Sequence, residues 1–425
     1  MNYSQALDFL FSLERFGIKL NLENISSLMR RLNNPHLRFP SLHIAGTNGK
    51  GSCCAMLHSV LNHAGYLTGL YTSPHIVDFR ERIRIGDSFI EKDFIIDLVS
   101  DLKEEILRNG YTFFEVTTAL AFYYFAMMKV ELAVVETGLG GRLDCTNVLH
   151  PEVVIITNID LEHIENLGKT LEEIAREKGG IIKENVSTVT AIKRKKPFKV
   201  IEALCKMKNS EHISVFKNSN WKIKSSSPKE INFDFYTRKD NYTGIKLSLA
   251  GEHQLTNAAC VILALENLKH KFSKINKESI YSGLREVKWG GRLEVYKENP
   301  LVLLDVAHNP GGIRSLIKVL KRLFPDKKVN FIFGVMEDKD YKEMLQLIGK
   351  IAKETILVQV QYHRGAKLES LIKTARMIEL KFKAVSDINK AYEDVLGNMS
   401  EEEILCITGS HFTVGEFLTG QERRL

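Results

Sequence analysis

Apolar residues along this chain fall into short unbroken runs separated by longer stretches at helical spacing. Leu42-His43-Ile44-Ala45 is such a run ending at Gly46, which predicts a short buried strand. Ser52 to Ala64 repeats apolar residues at helical spacing and stops at Gly65, which predicts a helix. Further buried strands are predicted at Leu132–Val135 and Val153–Ile156, each running into a polar cluster. Thr170 to Ile182 reads as a helix, with Thr170 and Glu173 at capping-box spacing. Strands alternating with helices predict a parallel sheet covered on both faces.

From Pro197 to Lys246 the pattern weakens among many Lys, Ser and Asn residues, predicting a peripheral β-rich segment. A helix follows at Leu255–Leu268, then a polar stretch to Trp289-Gly290-Gly291-Arg292, the expected linker. Beyond it a second alternating series places strands near Leu301–Val306, Val329–Val335, Ile356–Val360 and Ile404–Ile407. The expected division is a first domain over 1–288 and a smaller second domain over 289–425, with a cleft between them. The longest apolar stretch, Val116 to Met128, is too short to span a bilayer and reads as a buried helix.

Composition narrows the class without choosing a function. The chain has 425 residues, 44% hydrophobic and 26% charged, which suits two or three globular domains and excludes disorder and a disulfide scaffold. The net charge of +7 is mild for this length. It suits anionic small substrates, and no aromatic–basic stripe accompanies it, so a nucleic-acid partner is not expected. Six cysteines include no C-x-x-C pair and read as reduced thiols. The opening residues lack a basic region followed by an apolar one, so a cytoplasmic protein without a membrane partner is expected.

The candidate chemistry sits where predicted strands end. Gly46-Thr47-Asn48-Gly49-Lys50-Gly51-Ser52 joins a strand to a helix, a context in which backbone N–H groups and a helix N-terminus hold phosphate. It departs from the strict P-loop pattern, because Ile44 occupies the first glycine position and Gly51 follows the lysine. Glu136 ends a strand and opens Glu-Thr-Gly-Leu-Gly-Gly-Arg-Leu-Asp, where Leu143 stands in place of the third dinucleotide-fold glycine. A carboxylate there suits Mg²⁺. His163 follows a strand in Thr-Asn-Ile-Asp-Leu-Glu-His, and taken alone a loop histidine beside acids is more often structural. Lys178, in Arg-Glu-Lys-Gly-Gly-Ile, would ordinarily be a solvated helix lysine. Asp305-Val-Ala-His308-Asn-Pro310 ends the first strand of the second series and reads as a site at a strand's carboxyl edge.

Taken together and in order, these segments resemble the folylpolyglutamate synthase/dihydrofolate synthase family, within the Mur-type ATP-dependent amide ligases. The matching motifs are GTNGKGS (46–52), TSPH (72–75), ERIRI (81–85), ETGLGGRLDCTN (136–147), TNIDLEH (157–163) and EKGGIIK (177–183). GEHQLTNA (251–258), GGRLE (290–294), DVAHNPGG (305–312) and GSHFTVGEF (409–417) complete them. The resemblance implies an α/β fold, with a P-loop parallel-sheet N-terminal domain and a smaller Rossmann-like C-terminal domain. It implies ATP as co-substrate, two Mg²⁺ ions, a monovalent cation and a monomer.

By the same resemblance, Asn48, Gly49, Lys50, Gly51 and Ser52 hold phosphates. Asn257, Arg292 and Asp305 contact the nucleotide, and Ser73, Glu136 and His163 ligate magnesium. Lys178 matches a lysine carbamylated in many members, although Gly179 replaces the usual alanine after it. His308 and Ser410 line the side where glutamate arrives. Thr112, Phe113, Phe114 and Glu115, with Leu143, Asp144 and Cys145, match pteroate-binding segments, and a phenylalanine there could stack on a pterin ring. Cys145 replaces an alanine common in dihydrofolate-forming members, which leaves a monofunctional polyglutamate synthase open. Two rivals also stand: a Mur-type ligase for another acid and amino acid, and a nucleotide-binding regulatory module.

Overall fold

A computed structural model describes residues 1–17 and 19–422. Residues 423–425 of the expected second domain lie outside the described residues. The larger sheet has eight strands, in the spatial order Ser88–Phe89, Ile83–Ile85, Thr68–Tyr71, Leu132–Glu136, Ser41–Ala45, Val153–Ile156, Thr188–Thr190 and His212–Ser214. The last six run parallel, and the first two are antiparallel additions at one edge. The strand Ser41–Ala45 is buried at every residue, as its unbroken apolar reading requires of a central parallel strand. Its two neighbours end in Glu136 and just before Thr157, so three candidate motifs meet at one carboxyl edge.

The helix Phe113–Met127 packs on one face of this sheet, starting ahead of the apolar stretch because Thr112 caps it. Full burial of Phe122 and Phe125 contributes roughly 1.5–3 kcal/mol each. The opposite face is covered by the helices Lys50–His63 and Glu252–Leu268. The Pro197–Lys246 segment is only partly β. Its first fifth lies in the helix Lys195–Met207, whose buried stripe of Pro197, Ile201 and Cys205 is masked in sequence by a proline in the first turn and by flanking lysines. The rest holds the short parallel strand His212–Ser214, then an antiparallel sheet of Ser219–Ser226, Ile231–Thr237 and Asn241–Leu247. The apolar face of that sheet joins the core through Phe233, Phe235 and Tyr242.

The smaller sheet has six strands, in the order Glu294–Lys297, Leu301–Leu304, Glu403–Thr408, Lys328–Phe333, Ala352–Val358 and Phe382–Val385. All neighbours are parallel except the first pair. The two edge strands were not legible in the apolar pattern, since neither is fully buried. Among the described residues, no helix is long and apolar enough to cross a membrane.

Candidate active site

The glycines of the phosphate loop are required by close approach. Gly46 has φ +150°, and a Cβ there would lie 1.9 Å from Thr157 Oγ1. Gly49, at φ +87°, caps the helix Lys50–His63, and a Cβ on it would lie 2.5 Å from Asn257 Oδ1. Gly51 faces the Trp289 ring, 3.0 Å from the place a Cβ would take. The following polar segment wraps the loop: Thr47 N–H donates to Asn158 O (3.0 Å), and Asn48 N–H donates to Asn158 Oδ1 (2.8 Å). Thr157 Oγ1 donates to Asn48 O at 2.7 Å. From the other side, Gln254 Nε2 donates to Ser52 Oγ (3.3 Å), and Gln254 Oε1 accepts from Asn257 Nδ2 (2.8 Å).

Buried charges converge on this loop. Lys50 Nζ stands 3.9 Å from Glu136 Oε1, and Ser73 N–H donates to Glu136 Oε2 at 3.2 Å. Burial pushes the Glu136 carboxyl up from its ordinary value, against the opposing charge of Lys50. Lys178 is 2% exposed and donates to the Gly46 carbonyl at 2.8 Å. Burial, and then the Lys50 charge, lower its pKa to about 7. Gly179 packs against side-chain ends: a Cβ there would lie 2.5 Å from Leu204 Cδ1 and 2.8 Å from Ile201 Cδ1. His163, at φ +48°, opens the short helix Ile164–Leu167, and burial lowers its pKa to about 4.

The second sheet supplies the facing wall. Asp305 accepts from Leu293 N–H (3.0 Å) and Ala307 N–H (2.9 Å). Burial raises its pKa against the charge of Arg292. Arg292 Nε is buried and lacks a hydrogen-bond partner among the described residues. His308 donates from Nδ1 to Val306 O at 3.0 Å, which aims Nε2 at Glu162 Oε1, 3.5 Å away. Ser410 is 2% exposed and caps the helix His411–Glu422, accepting from Thr413 N–H at 3.0 Å.

Two residues outside the expected set complete the centre. Glu162, beside His163, has a side chain 7% exposed. Burial opposes its ionisation, but the His308 contact and the charges of Lys50 and Lys178 outweigh it and hold the carboxyl well below the usual range. Asn309 Nδ2 donates to Asn48 Oδ1 (3.0 Å) and to Glu162 Oε1 (3.2 Å), joining the second sheet to the phosphate loop. Asn309 also caps the helix Pro310–Leu323, and its place before a proline was a legible cap signal. Glu162 left no signal beyond its position in TNIDLEH.

The residues matched to pteroate-binding segments are arranged differently. Thr112 and Glu115 form the capping box of the helix Phe113–Met127, with Thr112 N–H donating to Glu115 Oε2 at 2.7 Å. Phe113 stacks on Phe11 at 5.6 Å, while Phe114 covers Gly138. Asp144 folds the glycine-rich loop by accepting from Leu139 N–H (2.7 Å) and from Thr146 N–H and Oγ1, and burial raises its pKa. Leu143 is half-buried beside it, and Cys145 lies in the core.

Residues 44–265 match the Mur ligase middle domain, and residues 291–411 match the Mur ligase glutamate ligase domain. The dihydrofolate synthase/folylpolyglutamate synthase of Bacillus subtilis is 35% identical over 97% of this chain and 98% of its own length. The crystal structure of folylpolyglutamate synthase from Thermotoga maritima superposes with a TM-score of 0.86 at 33% identity, over 100% of this chain and 97% of that one. Escherichia coli FolC in complex with DHPP and ADP gives 0.89 at 26% identity, over 99% and 98%. The chain belongs to the dihydrofolate synthase/folylpolyglutamate synthase family of Mur-type ligases.

Proposed function

We propose that this chain joins L-glutamate to dihydropteroate, forming dihydrofolate, and to the γ-carboxyl of reduced folates, forming folylpolyglutamates, with ATP as co-substrate. The observation that carries the reading is the meeting of Lys50, Lys178, Glu136 and Glu162 at one phosphate loop, closed from the second sheet by His308 and Asn309. An amide from an unreactive carboxylate requires activation. A substrate carboxylate oxygen attacks the γ-phosphorus of ATP, ADP leaves, and an acyl phosphate forms. The glutamate amine attacks its carbonyl, and phosphate departs.

Lys50 and the loop N–H groups bind and orient the phosphates, and positioning with electrostatics supplies most of the acceleration. Asn257, Arg292 and Asp305 hold the nucleotide, while His308 and Ser410 line the glutamate side. Thr112, Phe113, Phe114, Glu115, Leu143, Asp144 and Cys145 form or support the pteroate site. Closure of residues 289–425 on 1–288 excludes water from the acyl phosphate.

Glu136, Ser73 and His163 suit Mg²⁺, a hard ion that takes one or two carboxylates and completes its shell with water and substrate phosphate. The buried Glu136 carboxylate at the phosphate loop, held by Ser73 N–H and 3.9 Å from Lys50, is a donor of that kind. Bound there, Mg²⁺ would neutralise charge on the transferring phosphoryl group. Burial favours the neutral amine of Lys178 near neutral pH, the form that accepts carbon dioxide, which supports its carbamylation. Six buried free thiols support a reducing, cytoplasmic setting, and the family pattern supports a monomer.

The test is ADP release from ATP, Mg²⁺ and L-glutamate, with dihydropteroate and a reduced monoglutamyl folate in separate tubes. Turnover in both is expected. Turnover with folate alone reduces the reading to a polyglutamate synthase, and silence in both overturns it.

A further inference from the structure

Arg82 ends the short turn Phe79–Arg82 and leads into the strand Ile83–Ile85. Its carbonyl accepts from Thr72 N–H at 3.0 Å, which places it beside Ser73 at the edge of the reaction centre. The residue is 7% exposed. A guanidinium buried this far is expected to have an anionic partner. Arg82 forms no ion pair with any described residue, and its one side-chain hydrogen bond runs from Nε to His75 Nδ1, at 2.8 Å.

That partner carries no compensating charge. His75 Nδ1 accepts the bond from Arg82 Nε–H, so that nitrogen carries no proton and the ring is neutral. The nearby acids are engaged elsewhere. Glu14 accepts from the Tyr362 hydroxyl at both oxygens (2.9 and 2.8 Å) and faces His363 at 3.4 Å. Glu136 is held by Ser73 N–H and Lys50. Aromatic faces bound the cation instead, with Cζ 5.2 Å from the Phe113 centroid and 6.0 Å from that of Phe79. Ring faces offset only part of the cost of burying a charge. The two terminal amino groups of Arg82 therefore present an unused fork, the geometry that pairs with a carboxylate through two parallel bonds.

We propose that Arg82 receives the α-carboxylate of a glutamyl substrate, either the non-reacting carboxylate of a reduced folate or that of the incoming L-glutamate. The assignment rests on the ligase reading above and names a positioning contact at which no bond forms or breaks. Where the folate carboxylate is the one held, the contact distinguishes the two acceptors, because dihydropteroate has only the carboxylate that reacts.

The experiment is steady-state kinetics on the full chain and on Arg82→Gln and Arg82→Lys. The acceptors are dihydropteroate, a reduced monoglutamyl folate, and the analogue of that folate with 4-aminobutyrate in place of glutamate. Loss of one partner of a buried ion pair predicts a KM rise of roughly 30-fold or more in Arg82→Gln. If the rise falls on the monoglutamyl folate while dihydropteroate and the aminobutyrate analogue are unmoved, the ligand is the folate carboxylate. If it falls on L-glutamate with every acceptor, the ligand is the incoming amino acid. Arg82→Lys keeps the charge without the fork and should show a smaller rise on the same substrate, which preserves the test if the glutamine variant does not fold. An active wild type with unchanged KM values in the folded variants overturns this assignment alone, whereas a silent wild type overturns the ligase reading with it.

Discussion

The phosphate-loop side of the cleft and the side formed by the pteroate-like segments are built from similar residues put to opposite uses. Around the loop, Lys50, Lys178, Glu136 and Glu162 are buried or half-buried titratable groups held close without full mutual neutralisation. On the other side, Thr112 and Asp144 are also buried and polar but hydrogen-bonded into a cap or turn, while Glu115 caps through Oε2 and leaves Oε1 buried without a partner among the described residues. A buried charge in loose pairing costs stability, so its presence argues for a ligand that completes it. A polar group satisfied by backbone N–H contributes to the fold whether or not a ligand is present. The comparison marks Lys50, Lys178, Glu136 and Glu162 as groups a ligand would complete, and Thr112 and Asp144 as groups the fold itself completes.

The largest expected effect is on the loop side. Lys50→Ala should lower ATP-dependent ligation by about 10²–10³-fold, the usual effect of losing one charge-stabilising donor, while thermal unfolding stays near wild type. Wild-type-like turnover would remove the phosphate-site assignment. Next comes Lys178, whose pKa falls from 10.5 to about 7 on folding. Between those values the unfolded chain holds a proton that the folded chain has released, so stability contributed by this site rises with pH. Urea unfolding of wild type against Lys178→Met should diverge across that window by at most about 1.4 kcal/mol per pH unit, with wild type gaining as pH rises. A carbamylated lysine would suppress that titration, and carbon dioxide removal should restore it. Parallel curves before and after carbon dioxide removal would contradict the buried-amine assignment.

On the opposite side the order of effects should reverse. Thr112→Ala removes the side-chain acceptor of the capping box, and helix caps of this kind contribute about 1 kcal/mol. Unfolding should register that loss, with turnover at saturating folate unchanged. A rise in folate KM that exceeds the stability change would place Thr112 in direct contact with substrate and blur the division between the two sides.

The same pair of regions shows what a sequence discloses. The phosphate loop was legible because its signals are local: a strand, close-packed glycines and a helix in consecutive positions. The paired carboxyl edges followed from apolar runs stopping at Glu136, Thr157 and Asp305. What could not be read was contact between distant segments, such as Asn257 against Gly49 or Asn309 against Glu162, since either asparagine could equally be a surface residue. The helix Lys195–Met207 is hidden in the sequence because Pro197 stands in its first turn and lysines flank its buried residues. Thr112-Phe113-Phe114-Glu115 carries the same capping-box spacing as Thr170 and Glu173. Both are capping boxes in the fold, at the helices Phe113–Met127 and Leu171–Gly179.

Cys145 gives the finest test of the division. It replaces an alanine common in dihydrofolate-forming relatives, and from sequence that departure weakened the case for activity on dihydropteroate. In the fold its side chain packs in the core beneath the helix Phe113–Met127 and is 6% exposed, while burial pushes its thiol far above the ordinary range. A neutral thiol in such a place behaves as a small apolar group. Cys145→Ala should therefore cost about 1 kcal/mol or less, through the small void left by one sulfur atom. The ratio of turnover with dihydropteroate to turnover with monoglutamyl folate should not move. If alanine instead raises that ratio, Cys145 touches the pterin through its sulfur, and the boundary between fold and site must be redrawn to place it on the substrate side.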